Sequence, residues 1–294
     1  MRSQPFGSLV TAMVTPFDEN LALDLPAAAD LAHHLVEEMH NDALVISGTT
    51  GEAPTTTAQE KYELLKTVRS AVGNRAKVIA GVGSASTAES VYLARQAQDA
   101  GADGLLVVTP YYSKPPQAGV IAHFETIADA TPLPILVYDI PNRTATPILT
   151  DSLMTLAQHE NIVAIKDAKG DLKGTSEILA QTDVAIYSGD DAVTLPLLAI
   201  GATGVVGTST HFSGAATKQM IEAFTRGDID GALALHQRLL PVYTGVFAAQ
   251  GCTMVKAGLN WQGHRVGGLR PPQMSANERQ LQEFVTQLEA AGLA

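Results

Sequence analysis

Short apolar runs alternate with longer helix-like segments through most of the chain, and this alternation constrains the fold more than any other feature. Eight runs read as continuous, β-branched segments, which is the pattern of parallel strands buried on both faces. They are Leu9–Thr15, Ala43–Ser47, Lys77–Gly81, Gly104–Thr109, Ile135–Ile140, Ile162–Lys166, Val184–Ser188 and Gly204–Gly207. Eight such units within about 210 residues predict an α/β fold of the (β/α)8 kind, a TIM barrel. The alternative is a doubly wound sheet, but its dinucleotide-binding glycine motif is missing.

The segments between the strands carry helix signals. Thr57 and Ser86 each stand three residues before a glutamate, a spacing that predicts a capping box at a helix start. Leu21–His40 has the apolar period of a first helix. The strand signal stops after Ser213. The sequence therefore predicts a barrel over residues 1–213, with a helical extension over 214–294 packed on it in one structural domain.

Composition limits the partners. The 294 residues carry a net charge of −11 without a cluster of Lys or Arg, so neither nucleic acid nor an anionic membrane is an expected partner. No apolar run reaches the ~18 residues of a membrane span, and the N-terminus lacks the pattern of a signal peptide. Cys252 is the only cysteine, which excludes an intrachain disulfide. We expect a cytoplasmic protein that acts on small molecules.

Lys166 is the most informative single residue, because it ends the sixth predicted strand. In TIM barrels the chemistry lies at the carboxyl ends of the strands. Removal of water from a lysine disfavours its ammonium form, and the free amine that results can attack a carbonyl. The alternative is a lysine that reaches solvent or pairs with Asp167 or Asp190.

Three further segments follow predicted strands. Gly48–Glu52 offers backbone amides and two hydroxyls that suit a small carboxylate, or it is an ordinary turn. Tyr111–Pro116 projects two tyrosines, either for proton transfer or for contact between subunits. In Tyr138–Thr144, Arg143 either binds a carboxylate with both nitrogens or forms a salt bridge within the loop.

Two aspartates, Asp190 and Asp191, follow the seventh strand. Their negative charge argues against a phosphorylated substrate at this end of the barrel. A metal site is not supported either, because no histidine or third carboxylate follows at ligand spacing.

Taken in order, these motifs resemble the pyruvate-dependent class I aldolases of the N-acetylneuraminate lyase superfamily, from about Ser8 to the C-terminus. Within that superfamily, the pattern is similar to the members that condense pyruvate with aspartate 4-semialdehyde in the diaminopimelate branch of lysine biosynthesis. The resemblance implies that Lys166 forms a Schiff base with pyruvate. It also implies that Tyr138 acts as proton donor and acceptor.

The same resemblance implies roles for five further residues. Thr49 and Tyr112 would relay protons, and Tyr112 would reach the site of a neighbouring subunit. Thr50 would bind the pyruvate carboxylate in a pocket lined by Val206, and Arg143 would bind the carboxylate of the aldehyde. No metal or organic cofactor is implied. The shared tyrosine implies a homo-oligomer, at least a dimer, and the superfamily suggests a tetramer of two dimers.

Departures from the common pattern concern regulation and the aldehyde pocket. Relatives that are inhibited by lysine often carry His and Asn where this chain has Ala58 and Ala85. We therefore expect weak or no inhibition by lysine, although Glu89 and Tyr111 match those relatives. Asp139 stands where asparagine is frequent, next to the loop of Arg143.

Two other functions stay open at this point. One is an aldolase of the same chemistry that acts on a 2-keto-3-deoxy sugar acid or on sialic acid, and Arg143 disfavours it. The other is a non-catalytic sensor that binds a keto acid. Pure binding would need neither a free amine nor a proton relay, so Lys166, Tyr138, Thr49 and Tyr112 together argue against the sensor.

Overall fold

The strands form a closed barrel. The computed structural model describes residues 3–294, and each strand in it is parallel to its neighbours, with the last strand paired to the first. The strands are β1 (Leu9–Ala12), β2 (Ala43–Ile46), β3 (Lys77–Gly81), β4 (Gly104–Val108), β5 (Ile135–Asp139), β6 (Ile162–Asp167), β7 (Ala185–Ser188) and β8 (Gly204–Gly207). The predicted TIM barrel is confirmed.

Helices connect the strands and continue beyond the last one. They are α1 (Leu25–Glu37), α2 (Ala58–Val72), α3 (Thr87–Asp99), α4 (Gln117–Asp129), α5 (Pro141–Thr144), α6 (Thr150–Leu156), α7 (Leu172–Gln181), α8 (Thr194–Ala199), α9 (Thr210–Thr225), α10 (Ile229–Gly245), α11 (Gly251–Trp261) and α12 (Glu278–Ala290). None of these helices is long and apolar enough to cross a membrane.

The first predicted helix was too long at both ends. Helix α1 begins after Asp24, whose side chain accepts the N–H of Ala27 and so caps the first turn. Leu21 and His40, the predicted ends, both have positive φ angles, 62° and 57°. A helix cannot continue through that conformation, so both residues lie outside it.

Only one of the two predicted capping boxes is complete. Thr57 and Glu60 exchange both hydrogen bonds at the start of α2. At the start of α3, Ser86 accepts the N–H of Glu89, but the Glu89 carboxylate accepts the hydroxyl of Ser84 instead, at 2.7 Å. The second box is therefore corrected to a single cap.

The largest error in strand length is at β1, which ends at Ala12 rather than at Thr15. Beyond Ala12 the Val14 N–H donates to His211 Nε2 at 3.2 Å rather than to a neighbouring strand, and Pro16 has no N–H to donate. The ends of the other strands differ from the prediction by one residue or not at all.

The amino-terminal end of the barrel is closed by side chains. The Tyr187 hydroxyl, from β7, donates to Gly7 O at 2.8 Å and accepts the N–H of Phe6 at 3.2 Å. Phe6 packs where Gly104 begins β4, and a β-carbon on that glycine would lie 2.7 Å from the Phe6 ring. Both aromatic rings are buried, so this end of the barrel is filled.

The chain after β8 is helical, as predicted. Helix α9 begins at Thr210 and spans the proposed boundary after Ser213, and the division into 1–213 and 214–294 stays a prediction. The later helices begin at a polar cap or a glycine: Asp228 caps α10, and α11 starts at Gly251.

Candidate active site

Lys166 lies between two tyrosines inside the barrel. It pairs in register with Tyr138 of β5 and with Tyr187 of β7, and its side chain points inward. Its Nζ lies 4.2 Å from the centroid of the Tyr138 ring, and the residue is only 4% exposed. Gly189 leaves space for it, because a β-carbon there would come within 3.1 Å of the Lys166 Cε.

Burial changes the ionisation of this lysine. Loss of water lowers the pKa of Lys166, the Asp191 carboxylate opposes this effect and the positive charge of Arg143 adds to it, so that the pKa is about 8. A substantial fraction of the amine is therefore uncharged near neutral pH. This is the property that attack on a carbonyl requires.

Asp191 follows β7 at the carboxyl end of the barrel, where the sequence places it, but its side chain is buried there. Its carboxylate accepts the Ser209 hydroxyl at 2.6 Å and the Thr208 N–H at 3.1 Å. Burial raises the pKa of Asp191 above its ordinary value. Asp190 is exposed and caps the following turn through Ala192 N–H. One carboxylate thus faces solvent, and the other holds the turn after β8.

Tyr138 and Thr49 come together as predicted. Burial raises the pKa of Tyr138 to about 12, while the charge of Arg143 and a hydrogen bond with Thr49 act in the opposite direction. The phenol therefore stays protonated at neutral pH and is able to donate. The hydrogen bond with Thr49 is the contact that the predicted proton relay requires.

Thr50 and Val206 lie deeper than the cavity surface. Val206 is fully buried in β8, and Thr50 Oγ1 lies 3.4 Å from Thr208 Oγ1 across the barrel end. The loop that carries Thr50 is held to the segment after β1, because the Thr15 hydroxyl donates to Gly51 O at 2.6 Å. The residues predicted to bind the pyruvate carboxylate therefore lie where the first, second and eighth strands meet.

An open cavity of about 370 Å³ leads to this group of residues. Thr49, Tyr138 and Arg143 line it, whereas Lys166, Thr50 and Val206 do not. A further lining residue, Gln250, accepts a hydrogen bond from Arg143 Nη2 through its Oε1 at 2.8 Å. The sequence did not indicate Gln250, since it lies 107 positions from its partner and belongs to no motif.

Comparison with known proteins agrees with this arrangement. The sequence profile described as the dihydrodipicolinate synthetase family matches residues 5–291. The chain belongs to the dihydrodipicolinate synthetase family. It is 57% identical to the 4-hydroxy-tetrahydrodipicolinate synthase of Acidothermus cellulolyticus, over 99% of this chain and 94% of that one. It is 55% identical to the enzyme of the same name from Cutibacterium acnes, over the full length of both.

Solved structures of the dihydrodipicolinate synthetase family superpose closely. The synthase of Cyanidioschyzon merolae with lysine bound has a TM-score of 0.97 and 41% identity, and the match covers 99% of this chain and 100% of that one. The chloride-inhibited synthase of Acinetobacter baumannii complexed with pyruvate has a TM-score of 0.94 and 30% identity, over 98% and 100% of the chains. The resemblance inferred from the motifs is thereby confirmed, as is the fold.

Tyr112 lies apart from the other residues that the sequence predicts for the active site. Its side chain is 93% exposed and its φ angle is +73°, in the left-handed region. The preceding residue, Tyr111, lines the cavity. Within one chain, therefore, the structure does not bring Tyr112 to Lys166 or Tyr138.

Ser84, Glu89 and Lys61 also line the cavity, and the Lys61 ammonium donates to Ala53 O at 2.9 Å. Burial lowers the pKa of Lys61, and the nearby Glu89 raises it. Besides Arg143, the lining thus contains one lysine and one glutamate.

Between residues 3 and 294, no group of three or more His, Cys, Asp or Glu side chains is arranged to hold a metal ion. The polar side chains that line the cavity are hydroxyls, two phenols, one guanidinium, one ammonium, one carboxylate and one amide.

Proposed function

We propose that this chain condenses pyruvate with L-aspartate 4-semialdehyde to give 4-hydroxy-tetrahydrodipicolinate, in the diaminopimelate branch of lysine biosynthesis, through a Schiff base on Lys166. The observation that carries the proposal is the buried Lys166 amine, whose lowered pKa and contact with Tyr138 suit imine formation. The names of relatives at 50–57% identity support the same reaction. The sugar-acid aldolase and the sensor receive no such support.

Imine formation uses three groups. The free amine of Lys166 attacks C2 of pyruvate, and the carbinolamine that forms loses its hydroxyl as water. Tyr138 donates the proton that this leaving hydroxyl needs, and Thr49 returns a proton to the phenol. Thr50 and the backbone amides of its loop hold the pyruvate carboxylate, with Val206 against the methyl side of the pocket.

Carbon–carbon bond formation follows on the same lysine. The iminium loses a proton from C3, which Tyr138 and Thr49 accept, and becomes an enamine. Its C3 then attacks the aldehyde carbon, and the aldehyde oxygen takes a proton from Tyr138 and becomes the 4-hydroxyl. Arg143 binds the carboxylate of the aldehyde, and Gln250 fixes the direction of the guanidinium. The amino group of the bound substrate then attacks the imine carbon, closes the ring and releases Lys166 as a free amine. The sequence of steps needs no metal or organic cofactor.

Tyr112 is proposed to act from a neighbouring subunit. Its exposure and its strained backbone support this role, since a large exposed aromatic side chain is typical of an interface. The protein is thus proposed to be a homo-oligomer in the cytoplasm, at least a dimer and in full a tetramer of two dimers. Mixing inactive Tyr112→Phe chains with inactive Lys166→Met chains should restore part of the activity, and no recovery after subunit exchange would contradict the shared site.

The first experiment is borohydride reduction with pyruvate, followed by peptide mass spectrometry. We expect a pyruvyl adduct on Lys166 in the wild-type chain and in a Lys169→Met variant. Lys169 is a matched control because it is also largely buried, and it lies three residues away. Aspartate semialdehyde should then discharge the enamine, whereas sugar aldehydes should not. Folded protein with Lys166 unmodified would refute the mechanism.

A further inference from the structure

Helix α11 and its N-cap contact the two segments proposed to bind the substrates, the Gly48–Glu52 loop and the segment of Arg143. Gln250 caps its first turn and accepts the hydrogen bond from Arg143. Six residues later on the same helix, Lys256 Nζ lies 2.8 Å from Glu52 Oε1. Glu52 is the last residue of the Gly48–Glu52 loop, which carries the two threonines of the pyruvate end. One helix of the C-terminal segment therefore touches both ends of the site.

The Lys256–Glu52 ion pair is removed from water. Each side chain is only 1% exposed. The second carboxylate oxygen of Glu52 accepts the backbone N–H of Arg270 at 3.0 Å, so both of its contacts come from the chain after the barrel. Glu52 also has a φ angle of +55°, a conformation that costs a non-glycine residue energy unless its surroundings fix it.

The cationic side of this pair is equally fixed. Lys256 Nζ donates to Gly268 O at 2.6 Å and lies 4.1 Å from the centroid of the Phe17 ring. The Arg270 guanidinium lies 4.2 Å from the same centroid and binds both carboxylate oxygens of Glu60, near the start of α2. The segment from Glu52 to Glu60 is thus held at two points by the C-terminal segment.

Neither partner of this pair takes part in the proposed chemistry. We propose that Lys256 and Glu52 are positioning residues: their buried ion pair fixes the Thr49–Thr50 loop relative to Lys166, and α11 thereby sets the distance between the pyruvate end and Arg143. The inference rests on the proposed roles of these threonines and of Arg143. A buried pair suits this task, because each charge tolerates only a narrow range of positions of the other.

The first test is the variant Lys256→Met, which keeps an unbranched side chain against Phe17 and leaves Glu52 without its cation. We expect the pyruvate concentration for half-maximal trapping of the Lys166 adduct to rise by roughly 10- to 100-fold, because a displacement of about 1 Å at a reacting group costs about 100-fold. The KM for aspartate semialdehyde should change far less. The expected result is thus a raised half-saturation concentration for pyruvate with a nearly unchanged KM for aspartate semialdehyde.

A matched control is Lys218→Met. Lys218 pairs with Asp42 at 2.5 Å and is partly buried, but it lies at the amino-terminal end of the barrel, where the pair holds Ser8. This variant should lower the melting temperature as Lys256→Met does. It should leave pyruvate trapping unchanged, and so it separates general destabilisation from loss of position.

Two further variants keep the test decisive if Lys256→Met does not fold. Glu52→Gln retains an acceptor for the Arg270 N–H and leaves a lysine that is able to lose its proton, so we expect it to fold and to show the same pyruvate defect. Gln250→Ala removes the contact at the other end of α11. It should raise the KM for the aldehyde while pyruvate trapping stays close to that of wild type.

The results separate this inference from the proposed function. If the Lys256 and Glu52 variants lose melting temperature but keep wild-type pyruvate saturation, as the Lys218 control does, the positioning role is wrong and the Schiff-base mechanism stands. If the wild-type chain itself gives no adduct on Lys166, the proposed function is wrong. A selective pyruvate defect in a folded variant supports the inference.

Discussion

The pH dependence of imine formation is set by Lys166. With a pKa of about 8, roughly a tenth of the amine is free at pH 7, whereas an ordinary lysine at 10.5 is about 0.03% free. The barrel therefore increases the reactive form by about 300-fold at neutral pH. Because the amine is reactive only after it loses its proton, the rate of imine formation should rise with pH and level off above the pKa.

The assay is the initial rate of adduct formation at saturating pyruvate from pH 6 to 10, quenched with borohydride and quantified by intact mass. We expect one inflection near pH 8. Asp191→Asn removes the charge that raises the pKa of Lys166, so its inflection should move to lower pH, and asparagine keeps an acceptor for Ser209. Arg143→Gln removes a charge that lowers this pKa, so its inflection should move to higher pH.

Opposite shifts in the two variants are the decisive result. A wild-type inflection near 10.5 would show that burial does not control the ionisation of Lys166. Shifts of both variants in the same direction would show that Asp191 and Arg143 act through a change of shape rather than through their charges.

Three more predictions follow from the site and its surroundings. Burial raises the pKa of Asp139 to about 6, so ionisation of this carboxyl destabilises the folded chain at pH 8. Asp139→Asn should therefore raise the free energy of unfolding in urea by up to about 3 kcal/mol at pH 8. It should leave that free energy unchanged below about pH 3, where Asp139 is protonated in both the folded and the unfolded chain. A gain of equal size at both pH values would contradict this cause. Thr49→Val removes a hydrogen bond that lowers the pKa of Tyr138, so trapping at pH 7 should slow by roughly 100-fold, and an unchanged rate would remove Thr49 from the relay. Ala58 and Ala85 predict weak or no inhibition by lysine in steady-state assays, and half-inhibition at sub-millimolar lysine would overturn this.

The fold was predictable because its signal repeats along the chain. Each strand is buried on both faces and so reads as an apolar run, and eight repeats leave few other folds. The errors occurred where a local signal had a competitor in space. Glu89 had the spacing of a capping box, but the Ser84 hydroxyl lay within its reach. Leu21 and His40 had the period of a helix but take left-handed backbone conformations.

The site was predictable only in part, for a related reason. Tyr138 and Lys166 lie near the carboxyl ends of adjacent strands and Arg143 follows the first of them, so their convergence follows from the topology. Gln250 and Lys256 come from the helical segment after the barrel, and nothing in their local sequence pairs them with residues about 100 to 200 positions earlier. Contacts of this kind depend on how the C-terminal helices pack.

The filled floor of the barrel, made by Phe6 and Tyr187, turns the site into a blind well. Whatever binds at Lys166 lies deeper than whatever binds at Arg143, and both arrive and depart through one opening. Pyruvate must therefore enter first. The water that imine formation releases must leave before the aldehyde covers the imine. An aldehyde that arrives early blocks the way in. We expect high aldehyde concentrations to slow the enzyme in competition with pyruvate, so that geometry alone imposes the order of events.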